Sequence, residues 1–270
     1  MKKFTKFAII ALTFMGLVII SNAQPLSGTY TVNPAGAATG TNFKNIVSAL
    51  AYLQGGSRTD AGPNNAGPFG ISDAVVFNIY PGTYVESLAL TSVPGTSTLK
   101  TLTFKSFNND SLNTKLRGLS IANVSHVIIK KLWFNNNANF TGTTGNISLE
   151  NNTLQSVIYN GNSNFSVINN QINAGLQLGY TSTSYINNVI IKNNTIVGVN
   201  SDGNGSPYIV QWYRVAKPVF DNNKILDISL NYYASYLGRF YKGALYFRSC
   251  SDTAFITNNQ FLRIGIRVLK

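Results

Sequence analysis

Five stretches decide the fold: LENNTL (149–154), VINNQI (167–172), IKNNTI (191–196), FDNNKI (220–225) and ITNNQF (256–261). Each sets an apolar residue two places before an asparagine pair and another three places after the pair's first member. Those first members, Asn151, Asn169, Asn193, Asn222 and Asn258, follow one another at intervals of 18, 24, 29 and 36 residues. A β-strand alternates its faces with period two. Leu149, Val167, Ile191, Phe220 and Ile256 therefore point one way, with Ile147, Phe165, Val189, Pro218 and Ala254 one step back on the same face. Leu154, Ile172, Ile196, Ile225 and Phe261 resume that face beyond the pair. Each unit reads as strand, bend, strand, and asparagine suits the bend because it tolerates left-handed dihedrals.

A unit this small cannot bury its inner face alone, so its neighbours must cover it. Variable intervals favour a β-helix over helical repeats, because surplus residues can bulge from a corner without disturbing the stacked strands. The fold class expected is all-β, a parallel β-helix solenoid, with Asn151, Asn169, Asn193, Asn222 and Asn258 bonding along the stack as an asparagine ladder. VIIKKLWF (127–134) fits the same register without a pair, Val127, Ile129 and Phe134 facing inward, and counts as an earlier coil.

Residues 1–23 carry the pattern of a secretory signal: Lys2, Lys3 and Lys6, an apolar run from Phe7 to Ile20, then Ser21-Asn22-Ala23, with cleavage expected after Ala23. The run is too short for a comfortable membrane span. Export to the cell surface or medium is expected, with a mature chain of 247 residues carrying 18 basic and 9 acidic side chains. That excess favours polyanionic neighbours such as acidic glycans, and no nucleic-acid-reading motif is present. The single cysteine, Cys250, allows no intramolecular disulfide and reads as a small packing residue. No cofactor is expected.

The N-terminal part, 24–73, reads as strand Thr29–Val32, a helix capped by Thr41 with Phe43, Ile46, Val47, Leu50 and Leu53 at helical spacing, and a loop over 55–70. Such a helix makes sense as a lid on the first coil's open edges. From 74 onward come strands Ala74–Ile79, Thr83–Leu90 and Leu99–Ser106, then a polar connection over 108–118. SGTYTVNP (27–34), NFKNIVSAL (42–50), VVFNIYPGTYVESL (75–88) and VPGT (93–96) together resemble the start of secreted right-handed parallel β-helix proteins of Gram-negative bacteria, in the broad pectate-lyase-like group. The resemblance covers roughly 25–265 and implies a right-handed coil. It implies little about activity, because the group includes lyases, hydrolases and adhesins. Many such proteins carry a further C-terminal module; this chain runs out at FLRIGIRVLK (261–270), and an incomplete end or another cover for the last coil is expected.

Aromatic residues crowd the late coils. Trp212, Tyr213, Tyr232, Tyr233, Tyr236, Arg239 and Tyr241 are the expected ligand-binding set, able to stack on sugar rings if they project outward; the competing reading packs them into wider coils. Glycan hydrolysis needs paired carboxylates, and here Glu150 and Asp221 share the outward site before the bend but lie three coil steps, roughly 14 Å, apart. Lys192 and Asp221 fall on adjacent coils as an expected ion pair, and Asp227 and Arg263 could pair likewise. The catalytic candidates are Asp221 and Asp227, a carboxylate pair across a bend, and Lys242, which with Tyr241, Arg239 and Arg248 is the set a metal-free lyase would draw on. NSDGNG (200–205) has calcium-loop offsets but too few charges, with Gln211 where the bidentate Glu belongs, so no metal site is expected. Two functions follow: a non-catalytic glycan-binding, adhesive or structural protein, and a lyase or glycosidase working on acidic glycans.

Overall fold

The computed structural model describes residues 24–63, 67, 69–182, 184–198, 208–226 and 243–262. The chain winds as a right-handed parallel β-helix with three strands per coil, and every pairing between its named strands is parallel. Among the described residues the three sheets hold 11, eight and seven strands. The asparagine doublets stand at the corner between the first and second sheets.

Register explains the inner faces. In the first sheet Phe77, Phe104, Ile129, Leu149, Val167, Ile191, Phe220 and Ile256 form one column, one residue per coil. Tyr84, Leu116, Phe134, Leu154, Ile172, Ile196, Ile225 and Phe261 do the same in the second. Leu90, Ile121, Phe140, Tyr159, Leu178, Trp212 and Phe247 line the third. From Phe77 through Ile225 these side chains are sealed from water, and only the members in the last described coil, Phe247, Ile256 and Phe261, are exposed; each sealed one contributes roughly 1.5–3 kcal/mol of burial. Phe77 stacks on Phe104 along its column at 5.0 Å, and Tyr159 of the third sheet stacks across the core on Phe165 of the first at 4.0 Å.

The bend differs from expectation by one residue. The first asparagines do form a column, each in the left-handed region at φ 52–57°, and Asn151, Asn169, Asn193 and Asn222 each donate their backbone N–H to the next coil. Their side chains face out, however, and only Asn222 to Asn193 makes a side-chain bond within the column, 2.8 Å. The continuous ladder belongs to the second asparagines, Asn152, Asn170, Asn194, Asn223 and Asn259, whose amides link successive coils at 2.9–3.2 Å. The left-handed residue reverses the chain, so the residue after it turns its side chain into the wall.

Two strand expectations and one helix expectation shift. Thr83–Leu90 divides into Gly82–Tyr84 and Leu88–Leu90, because the chain turns the corner from the second sheet to the third between them. The polar connection 108–118 contains a short strand, Thr114–Leu116, with Leu116 in the core. The helix, α1, spans Ile46–Leu53 and is capped by Asn45, whose side chain accepts from Ser48 N–H at 2.7 Å. Thr41 cannot cap it, since Asn42–Phe43 is an edge strand paired to Thr31–Val32. Ile46, Ala49, Leu50 and Leu53 close over the end of the core, while Val47 is 48% exposed. No described helix is long and apolar enough to cross a membrane.

Candidate functional site

The third sheet's outward column reads Ala89, Ser120, Asn139, Ile158, Gln177, Gln211 and Tyr246 in register. Its two ends differ chemically. At the late end Tyr213 packs edge-on to Tyr180 at 5.2 Å and tilted against Tyr246 at 5.6 Å. Gln177 Nε2 donates to Gln211 Oε1 at 3.3 Å, and Tyr213 Oη lies 3.4 Å from the same oxygen. Burial pushes the Tyr213 hydroxyl up, Tyr246 and Tyr180 add to this, and Arg248 opposes it. The phenol stays protonated at neutral pH. Tyr180, 58% exposed, was missed in the sequence because it falls outside the aromatic-rich segment; only register brings it beside Tyr213.

At the early end an open cleft of about 700 Å³ runs along the corner between the second and third sheets. Arg117, Asn135, Asn136, Asn137, Asn139 and Gln155 line it over a floor that includes Gly118. The ladder asparagines are tied into the wall; among the described residues these lining side chains make no hydrogen bond to the protein. Gly118 keeps the floor open: a Cβ there would come within 3.3 Å of Ser87 Oγ and 3.4 Å of Asn136 Cβ. Nothing in the sequence separates these asparagines from the others, since the distinction lies in which amides the ladder uses.

The expected ligand set is only partly reassembled. Of that set Tyr213 is on this face, with Arg248, one of the catalytic candidates, in register on the next coil. Trp212 is not, and that expectation is corrected: it stands in the inward column between Leu178 and Phe247, fully buried, its ring 5.5 Å from Phe220. Strand alternation forces the choice, for if Tyr213 and Gln211 face out, Trp212 faces in. Tyr232, Tyr233, Tyr236, Arg239 and Tyr241 lie outside the described residues, as do Asp227, Lys242, Arg263 and the 200–205 loop.

Carboxylates are held in structural contacts. Glu150, Ile168, Lys192 and Asp221 follow one another in register, so Glu150 and Asp221 stand three coils apart as expected. Lys130 pairs with Glu150 at 2.8 Å and Lys192 with Asp221 at 3.5 Å. Asp221 also accepts from Thr257 Oγ1 at 2.7 Å and Asn258 Nδ2 at 3.0 Å. Those two bonds, then Lys192, hold its carboxyl below the ordinary range, the wrong direction for a general acid at neutral pH. Asp221 ends a first-sheet strand and Arg248 a third-sheet strand, so these two catalytic candidates do not share a groove. No family model matches the chain, and searches of curated proteins and of solved structures find no match.

Proposed function

We propose that this is an exported, non-catalytic β-helix protein of pectate-lyase-like type that binds glycan chains along the third sheet, at the cell surface or outside it. One observation carries the reading: a single outward row joins a cleft of unengaged amides to a cluster of tyrosines. From Ser120 to Tyr246 the row takes five coil steps, roughly 24 Å at the spacing of paired strands. That length suits a polymer. Amides offer both donors and acceptors to hydroxyl groups, and half-buried tyrosines offer ring faces with polar tips. The charged pattern of residues 1–23 supports export.

The test is a glycan array with wild type, Tyr213→Ala/Tyr246→Ala and Asn136→Ala/Asn137→Ala. Each double variant is expected to weaken binding about tenfold, the order lost with an interface aromatic or a buried polar anchor. A flat array for wild type overturns the binding reading. New absorbance from unsaturated products on polygalacturonate, alginate or chondroitin overturns the non-catalytic one.

A further inference from the structure

We propose that the early coils carry a second contact surface, a cationic ridge for a short stretch of sulfated or uronate-rich glycan. The ridge runs from the first sheet's strand Leu102–Ser106 across the corner to the second sheet's outer side, so it goes beyond the glycan row of the third sheet and fails or holds independently of it. Its members are Lys105, Lys115, Lys131 and Trp133. Lys105 lies directly opposite Lys130 on the adjacent coil, an arrangement that destabilises a sheet. Glu150 neutralises Lys130 from the coil beyond, at 2.8 Å. Lys105 has no such partner. Lys131 occupies the left-handed bend position, φ 53°, which the five later coils fill with Asn. A lysine there bears roughly 1–2 kcal/mol of backbone strain, which asparagine relieves through local hydrogen bonding. Across the corner Lys115 stands in register with Trp133, its Nζ 4.4 Å from the ring centre.

Among the described residues no carboxylate comes within ion-pair distance of Lys105, Lys115 or Lys131. Asp110, in the turn between Lys105 and Lys115, already accepts from Leu112 N–H and Asn113 Nδ2. Two adjacent coils therefore hold three ammonium groups without a carboxylate partner, one like-charge opposition and one strained bend. The Lys105–Lys130 opposition and the lysine at a left-handed bend break local rules side by side, which points to a function outside the fold, and an anionic ligand is the compensation that charge calls for. The ridge is short. Nucleic-acid affinity grows with the number of phosphates neutralised, and three lysines neutralise few. Lys115 also covers a face of Trp133, removing it as a platform for base stacking. A sulfate or carboxylate on each of two or three sugars fits the ridge better.

The purified protein is titrated with heparin, with fully desulfated heparin and with duplex DNA at low and physiological salt. Two variants of equal charge change are compared, Lys105→Gln/Lys115→Gln/Lys131→Gln and the control Lys44→Gln/Lys100→Gln/Lys224→Gln, whose lysines have ordinary backbone angles. Wild type is expected to bind heparin, to lose most of that binding on desulfation, and to weaken with salt. The ridge variant is expected to lose about tenfold or more in affinity, the control little. The ridge variant's melting temperature is expected to hold or rise, because the Lys105–Lys130 opposition is gone. Equal losses in both variants reduce the effect to net charge and overturn the proposal, as does tighter binding to DNA than to heparin. Loss of array binding only in the Tyr213/Tyr246 variant, with heparin binding intact, leaves the third-sheet row standing apart from the ridge.

Discussion

At each bend the two asparagines of a doublet play different physical parts. Asn169 supplies a left-handed φ of 57°, while Asn170, 2% exposed, completes the hydrogen bonding of three coils. Its Nδ2 donates to Leu149 O at 2.8 Å and Asn194 Oδ1 at 3.2 Å, and its Oδ1 accepts from Asn152 N–H at 2.8 Å and Nδ2 at 3.1 Å. Asn170→Ala leaves several buried groups unpaired at roughly 1–3 kcal/mol each, so a loss near 3 kcal/mol is expected once the wall relaxes. Asn169→Ala should cost only about 1 kcal/mol, the penalty of a left-handed residue, and Asn169→Gly less. Urea denaturation of the three variants checks the order; a larger loss for Asn169→Ala would reverse the assignment. The doublet itself was plain in the sequence, and so were its apolar flanks. Which member bonds along the stack was not, because spacing fixes a column but not the turn of a side chain after a left-handed residue. The same limit hid the row His126, Asn146, Asn164 and Asn188, all at φ 51–58°, where Asn188 donates to Asn164 and Asn164 to Asn146 at 2.8 Å.

Among elements, the N-terminal cap shows how little local signal a closing device needs. Gln54, just past α1, accepts from Thr91 N–H at 2.8 Å and donates to Ala89 O at 3.3 Å, occupying the edge of strand Leu88–Leu90 where a preceding coil would pair. Arg58 and Asp60 form a buried bidentate pair at 2.8 and 2.9 Å, with the guanidinium 4.2 Å above Phe43. The segment 55–70 reads as a loop in the sequence, since an ion pair two residues apart in a Gly/Pro-rich stretch has no periodic signature. Burial alone would push the Asp60 carboxyl up; hydrogen bonds from Arg58 and from Lys44 and Gly62 N–H outweigh it and hold the group at about 2. Because this lies below the ordinary 3.8, the pair's contribution is complete above about pH 4 and is lost as pH falls through 2. The span corresponds to roughly 2 kcal/mol. Stability measured by urea between pH 5 and 2 should show this slope in wild type. Asp60→Asn, already weaker at pH 6 by about 3 kcal/mol for the unpaired guanidinium, should lack it. Equal slopes in both would remove Asp60 from the acid response.

Across the whole molecule, stacking makes each coil answer only to its neighbours. The sequence disclosed that stacking where doublets recur, and also at VIIKKLWF, where Val127, Ile129 and Phe134 are buried as read. It did not disclose the third strand of each coil, such as Val157–Tyr159 or Leu176–Leu178, because three residues carry too short an alternation to stand out. The first coil and the last described one are unlike. The first coil lies under α1 with Leu53 and Phe43 fully buried. In the last described coil the inward residues Ile256 and Phe261 are 42% and 40% exposed, where Ile225 in the coil before is sealed. Protection against hydrogen exchange should therefore be highest over 125–196, where every coil has two neighbours and the Asn152–Asn170–Asn194 amides link them. It should stay high through 46–54 and fall by orders of magnitude over 255–262. Asn170→Ala should lower protection in the central coils first and leave 46–54 nearly unchanged, because a break in such a stack is felt by the units on either side of it. Uniform protection along the chain, or a mutant that loosens all coils together, would mean that the solenoid unfolds as one body rather than unit by unit.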